Sequence, residues 1–171
     1  MKLNLSKVIV NEKLHQLNDS LHCYYFNNLQ NAEELLALVK SPDSEFPNCT
    51  ILDSTHLLSL FQIQQACTKA YLNQLNKKMK SKSIYTEILL SFSHNTSISE
   101  AFKHFGLSKK TREIIVIIEG DRLSEIRDYI KGDYNELEFN SDLKFIRKAF
   151  GVTDADKVER CVIAASALQG Y

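Results

Sequence analysis

Apolar and polar positions along the chain group into short β-prone runs and longer stretches of helical period. Residues 21 to 26, LHCYYF, are aromatic and apolar and stop at the polar pair Asn27 and Asn28, which predicts a strand. Asn31 is placed to cap the helix that follows, with Glu33 and Glu34 at its positive end and Leu35, Leu36 and Val39 on one apolar face. A loop holding both prolines leads to a short buried strand from Cys49 to Leu52. From Thr55 to Gln74, apolar residues such as Leu60, Ile63, Cys67, Ala70 and Tyr71 recur at helical spacing, predicting a central helix across a sheet.

In the second half, YTEILLSF alternates Ile88, Leu90 and Phe92 with Glu87, Leu89 and Ser91 and reads as a strand with one face in the core. Ser97 and Glu100 form a capping box for the next helix, and Gly106 is suited to close it in a left-handed conformation. EIIVII is predicted as a central strand, DRLSEIRDYIKG as a short helix capped at Ser124, and DYNELEF as an edge strand. Two helices end the pattern, one closed by Gly151, the other capped near Thr153 and closed by Gly170. The expected fold is therefore α+β: one domain over residues 1–171, a mixed sheet of four or five strands flanked by helices, and a helical C-terminus.

Composition agrees with a globular domain, since 44% of the residues are hydrophobic, 25% are charged and long disordered stretches are not expected. Lys plus Arg number 21 and Asp plus Glu also 21, so any attraction to nucleic acid must come from a local patch. The N-terminal residues mix charge and apolar side chains too finely for a signal peptide, and no stretch approaches a membrane span. These two absences predict a reducing compartment, cytosol or nucleus, and no membrane partner.

Cys23, Cys49, Cys67 and Cys161 form no CxxC pair and are read as buried thiols; Cys67 and Cys161 fall on apolar helix faces. His15, His22, His56, His94 and His104 have no metal-ligand spacing, and GxGxxG, GxxxxGK[ST] and GxSxG are all absent. No catalytic residue, metal or cofactor is expected from these patterns.

The strongest charge signal is Lys77, Lys78, Lys80 and Lys82, interrupted by Met79. Such a loop either solubilises the protein or contacts phosphates, and in the second case binding would be salt-sensitive through counterion release. A second candidate surface is the last helix, where Val158, Cys161, Val162, Ala165 and Leu168 form an apolar stripe edged by small residues.

The stretch KKMKSKSIYTEILLSFSHNTSISEAFKHFGLS resembles the CGI-type subunit of the KEOPS (EKC) complex, the PRPK-binding protein family. The resemblance rests on the basic loop at Lys78, Met79, Lys80, Ser81 and Lys82, then Glu87, then Asn95, Ile98, Ser99, Ala101, Phe102, Phe105 and Gly106. Weaker similarity reaches Asn31, Ala32 and Leu35 upstream and Ile146, Arg147, Lys148 and Phe150 downstream. Ser81 and Lys82 depart from the usual Thr and Arg, and Lys82 lacks the planar fork that an Arg offers a phosphate.

The resemblance implies a non-catalytic subunit that binds the small atypical kinase of the complex, supports its ATPase activity and meets other KEOPS subunits through it. It also implies help in recruiting tRNA, in part by its 3′ end, for threonylcarbamoyladenosine modification, a nuclear as well as cytoplasmic pool, and a possible telomere link. On this basis Lys77, Lys78, Lys80 and Lys82 are the candidate tRNA contacts, and Phe150, Val158, Val162 and Leu168 the candidate kinase contacts. Two other readings fit the residues: a small cytosolic enzyme using a Cys or His in an unrevealed cleft, and a free-standing RNA-binding domain.

Overall fold

A computed structural model describes residues 21–41, 43–154 and 157–167. The elements, in order, are β1 (Leu21–Asn27), α1 (Ala32–Lys40), β2 (Thr50–Asp53), a short 3₁₀ turn (Ser54–His56), α2 (Leu60–Leu75), α3 (Ile84–Phe92) and α4 (Ile98–Phe105). Then come β3 (Ile114–Glu119), α5 (Leu123–Arg127), β4 (Asp133–Asn135), α6 (Leu143–Phe150) and α7 (Val158–Ala167). The four strands form one sheet in the order β2-β3-β1-β4. Every pairing is antiparallel, which corrects the expected mixed sheet.

Both faces of the sheet are covered. Cys23, Tyr25, Ile115 and Ile117 point toward α2, α3 and α4, where they pack with Ile63, Cys67, Tyr71, Ile88, Phe92 and Phe105. Tyr24, Phe26, Ile114, Val116 and Ile118 point the other way, against Ala32 and Leu35 of α1 and Ile126 and Ile130 at α5. Alternation of side chains across a strand makes this division automatic. Because β3 is flanked by strands and covered on both faces, its five apolar residues are all buried, explaining the unbroken run IIVII. Ile146, Val158 and Val162 form a third, smaller cluster with Phe145, Phe150 and Leu58, joining α6 to α7.

The largest departure from expectation is residues 85 to 92, which are the helix α3 and not a strand. Ser83 caps it by accepting from the Tyr85 amide at 3.2 Å, and every residue from Glu87 to Phe92 is buried. A helix enclosed on all sides has no polar stripe to reveal its period, so the incidental two-residue alternation prevailed.

Smaller corrections have local causes. The long helix starts at Leu60, capped by Ser59, because Asp53 first caps the 3₁₀ turn through the Thr55 amide. Asn31 does not cap α1 with its side chain; it donates to the Tyr129 carbonyl at 2.9 Å and accepts from the Lys131 amide at 3.0 Å, tying α1 to the turn after α5. Ser97 accepts from Glu100 N as predicted, but the Glu100 carboxylate turns to Lys103 and His104. Ser124 lies inside α5, whose N-cap is Arg122, and β4 stops at Asn135, leaving Leu137 and Phe139 outside it to pack on the core.

Gly106 is extended, with φ −78° and ψ 171°, and not left-handed. Its requirement is space: a Cβ there would stand 2.6 Å from the Phe102 carbonyl oxygen. Gly151 does close α6 in the left-handed region, at φ 66°. Thr153 lies outside α7, which begins at Val158, while Gly170 and Leu168 fall outside the described residues.

Candidate functional site

The basic loop begins where α2 ends. Asn76 is the cap, and Lys77 takes a left-handed conformation at φ 57°. Lys77 N then donates to the Gln74 carbonyl at 3.1 Å and Lys78 N to that of Asn73 at 2.7 Å. This paired arrangement satisfies carbonyls that the last helical turn would otherwise leave open, although a lysine replaces the glycine usual at its left-handed position. At the far end of the loop, Ser83 caps α3.

Glu87 of α3, one turn past that cap, is only 1% exposed. Its Oε2 accepts from the amides of Lys80 at 3.0 Å and Ser81 at 2.9 Å, and lies 2.8 Å from the Ser81 hydroxyl. Its Oε1 accepts from Asn73 Nδ2 at 2.9 Å. One carboxylate thus holds the middle of the loop to α2 and α3. The side chains of Lys77, Lys78, Lys80 and Lys82 remain exposed, and no salt bridge engages them among the described residues.

The C-terminal helix is bonded along its inner side. Gln65 of α2 donates to the Ile163 carbonyl at 3.0 Å, the Lys69 ammonium donates to that of Ser166, and the Ser166 hydroxyl donates to Phe92 at 3.0 Å. Burial pushes Lys69 down to about 8, Lys80 adds to the effect and Glu87 opposes it. Lys69 therefore sits where the basic loop and the end of α7 approach each other.

Two of the candidate kinase contacts are consequently internal. Val158 and Val162 are 4% and 0% exposed and belong to the cluster beneath α7, so in this conformation they are not presented to a partner. Phe150 is half-buried, with its ring centroid 5.5 Å from His94 and 5.9 Å from Phe105. Cys161, expected to be buried, is exposed on the outer side of α7 with Ala164 and Ala167. Beside that helix, α2 exposes Phe61, Leu72 and Leu75.

The other thiols are poorly placed for nucleophilic chemistry. Cys23 and Cys67 are buried; burial pushes Cys23 up to about 12 and raises Cys67 further, and the same cause takes half-buried Cys49 to about 12. Thiolate formation is suppressed in such surroundings. Among the described residues, no three His, Cys, Asp or Glu side chains are gathered to hold a metal ion, and no helix is long and apolar enough to cross a membrane.

The profile of the family described as kinase binding protein CGI-121 matches residues 26–170, most of the chain. The chain belongs to the CGI-121 family. Among its relatives, the EKC/KEOPS complex subunit cgi121 of Schizosaccharomyces pombe is 26% identical over 165 residues, covering 88% of this chain and 94% of the relative. The Kluyveromyces lactis subunit CGI121 is 31% identical over 114 residues, 66% of this chain and 69% of the relative. A vertebrate relative, the EKC/KEOPS complex subunit TPRKB of Danio rerio, is 26% identical over 137 residues, covering 75% and 76% of the two chains.

In this CGI-121 chain the four lysines are grouped on one anchored loop, whereas the four apolar candidates are divided between the interior, a half-buried aromatic contact and an undescribed position. Sequence reasoning missed Glu87, Lys69 and the exposed apolar residues of α2. A lone acid inside the otherwise apolar run YTEILLSF was the available signal for Glu87, because an enclosed carboxylate needs donors and the preceding loop supplies amides. Lys69 carried no comparable signal, since its neighbours come from distant parts of the chain.

Proposed function

We propose that this chain is a non-catalytic subunit of a KEOPS-type complex, binding the small atypical kinase of that complex, supporting its ATPase activity and helping to recruit tRNA for threonylcarbamoyladenosine modification. The family match and the names of the relatives support the assembly role. The single structural observation behind the RNA role is the anchored loop with four exposed lysines. Its energy of association would come largely from phosphate neutralisation, which a neutral protein can supply only locally.

For the kinase, the reading shifts outward from Val158 and Val162 to the exposed side of α7, at Cys161, Ala164 and Ala167, together with exposed Phe61 and Leu72 of α2, the helix that Gln65 and Lys69 bond to α7. Small residues on one helix let a partner backbone approach, and exposed aromatic and aliphatic side chains beside them supply apolar area. A cytoplasmic and nuclear distribution follows from a tRNA-modifying role, and a telomere-linked role remains an extension of it.

Two measurements test the reading. Co-purification with the cognate kinase should persist through size-exclusion chromatography; a folded chain that leaves its kinase behind overturns the assembly role. Charge reversal at Lys80 and Lys82 should weaken tRNA binding and reduce its salt slope by about 0.7–0.9 for each phosphate that is no longer neutralised. Unchanged affinity and slope would remove the loop from the RNA interface.

A further inference from the structure

Resting on the reading of the loop as a tRNA contact, we infer that Glu87 is the positioning residue for that contact: its buried carboxylate sets the shape in which the lysines are presented.

The inference starts from a conflict of charge. Four like-charged side chains within six residues repel one another, and an exposed loop of this composition gains nothing from folding into a fixed arrangement. Glu87 supplies the missing restraint. Its oxygens take the Lys80 and Ser81 amides and the Asn73 side-chain amide and share the Ser81 hydroxyl with the Ser83 carbonyl, so the backbone beneath Lys80 and Lys82 is held from inside while their ammonium groups face solvent.

Charge-assisted bonds of this kind are stronger than neutral ones, and burial protects them from competition by water. A loop already held in its bound shape also avoids the ordering cost of association. The two termini of the loop are fixed separately, by the turn at Lys77 and by Ser83, so Glu87 governs the segment between them.

A buried negative charge near lysines has an opposite, purely electrostatic effect, because it weakens attraction to phosphate. The two effects are separable by substitution. Glu87→Gln removes the charge but keeps an oxygen for the Lys80 and Ser81 amides, with its nitrogen directed at Asn73, whose side-chain amide can turn to accept. Glu87→Ala removes charge and acceptors together.

The experiment compares wild type, Glu87→Gln, Glu87→Ala, Lys80→Glu/Lys82→Glu and the double variant Asn73→Ala/Ser81→Ala. Each is assayed for full-length tRNA binding at several salt concentrations and for capture of the kinase. Glu87→Ala should lose about five- to tenfold in tRNA affinity while still binding kinase, and Glu87→Gln should stay within about twofold of wild type. Asn73→Ala/Ser81→Ala, which keeps the carboxylate, should give an intermediate loss and faster amide exchange at Lys80.

If both Glu87 variants bind tRNA as tightly as wild type or more tightly, the residue acts only by charge and the inference is overturned. It is also overturned if kinase capture falls in parallel with tRNA binding, or if Glu87→Ala does not fold and the double variant binds tRNA normally. A Lys80→Glu/Lys82→Glu variant with unchanged tRNA binding rejects the underlying loop reading instead.

Discussion

The Ser166 hydroxyl donates to the Phe92 carbonyl across 3.0 Å, both residues being buried, so the last described helix is bonded directly to the end of the enclosed helix α3. Ser166→Ala would leave that carbonyl without its side-chain donor, at a cost of about 1–3 kcal/mol. Urea denaturation should show the loss as a lower midpoint with an unchanged slope, and hydrogen exchange should rise first in α7.

Lys69 should make stability depend on alkaline pH. Burial places its folded pKa near 8, below the ordinary 10.5, so between those values the unfolded chain holds more protons than the folded one. Stability then rises with pH across that window; below it both states are protonated and the folded state bears the burial penalty. Partial exposure keeps the effect modest. In a comparison with Lys69→Met, the wild type should gain relative stability from pH 8 to 10, and a difference that stays constant would show no such linkage.

Gly106→Ala should destabilise the protein although the backbone there is ordinary. The added methyl would meet the Phe102 carbonyl at 2.6 Å, and this oxygen also accepts from the Gly106 amide, so relief would require moving the end of α4. Overpacking of this kind costs about 1–3 kcal/mol, readable as a lower thermal midpoint. An unchanged midpoint would show that the turn adapts without strain.

Much of the architecture was legible because polar and apolar residues report which sides of an element are covered. β1, α1, β2 and β3 announced themselves by strand composition or by an apolar face beside polar turns. Where all sides are covered that information vanishes, as at Glu87 to Phe92. The site divides in the same way. The lysines were visible as a local charge run, whereas the carboxylate holding their loop was mistaken for the polar edge of a strand, and the outward side of α7 required knowing that Val158 and Val162 point inward.

Substitutions on α7 should separate packing from partner binding. Val162→Ala removes buried carbons and should cost about 1–3 kcal/mol, with kinase binding weakened only as far as folding is. Ala164→Glu, on the exposed side, should leave the melting temperature nearly unchanged and sharply reduce kinase capture. Full capture by the Ala164→Glu chain, measured by calorimetry or pull-down, would place the kinase on another surface.

The antiparallel register that joins Leu21 to Glu119 also sets an order of events during synthesis. β1 leaves the ribosome long before β3 exists, and at about 5–20 residues per second the delay is on the order of ten seconds. In that interval α2, α3 and α4 can associate, but Tyr24 and Phe26 have no central strand to rest against. Until Ile114–Glu119 emerges, Tyr24 and Phe26 can pack on Ala32 and Leu35 of α1, but β1 cannot complete its pairing in the sheet.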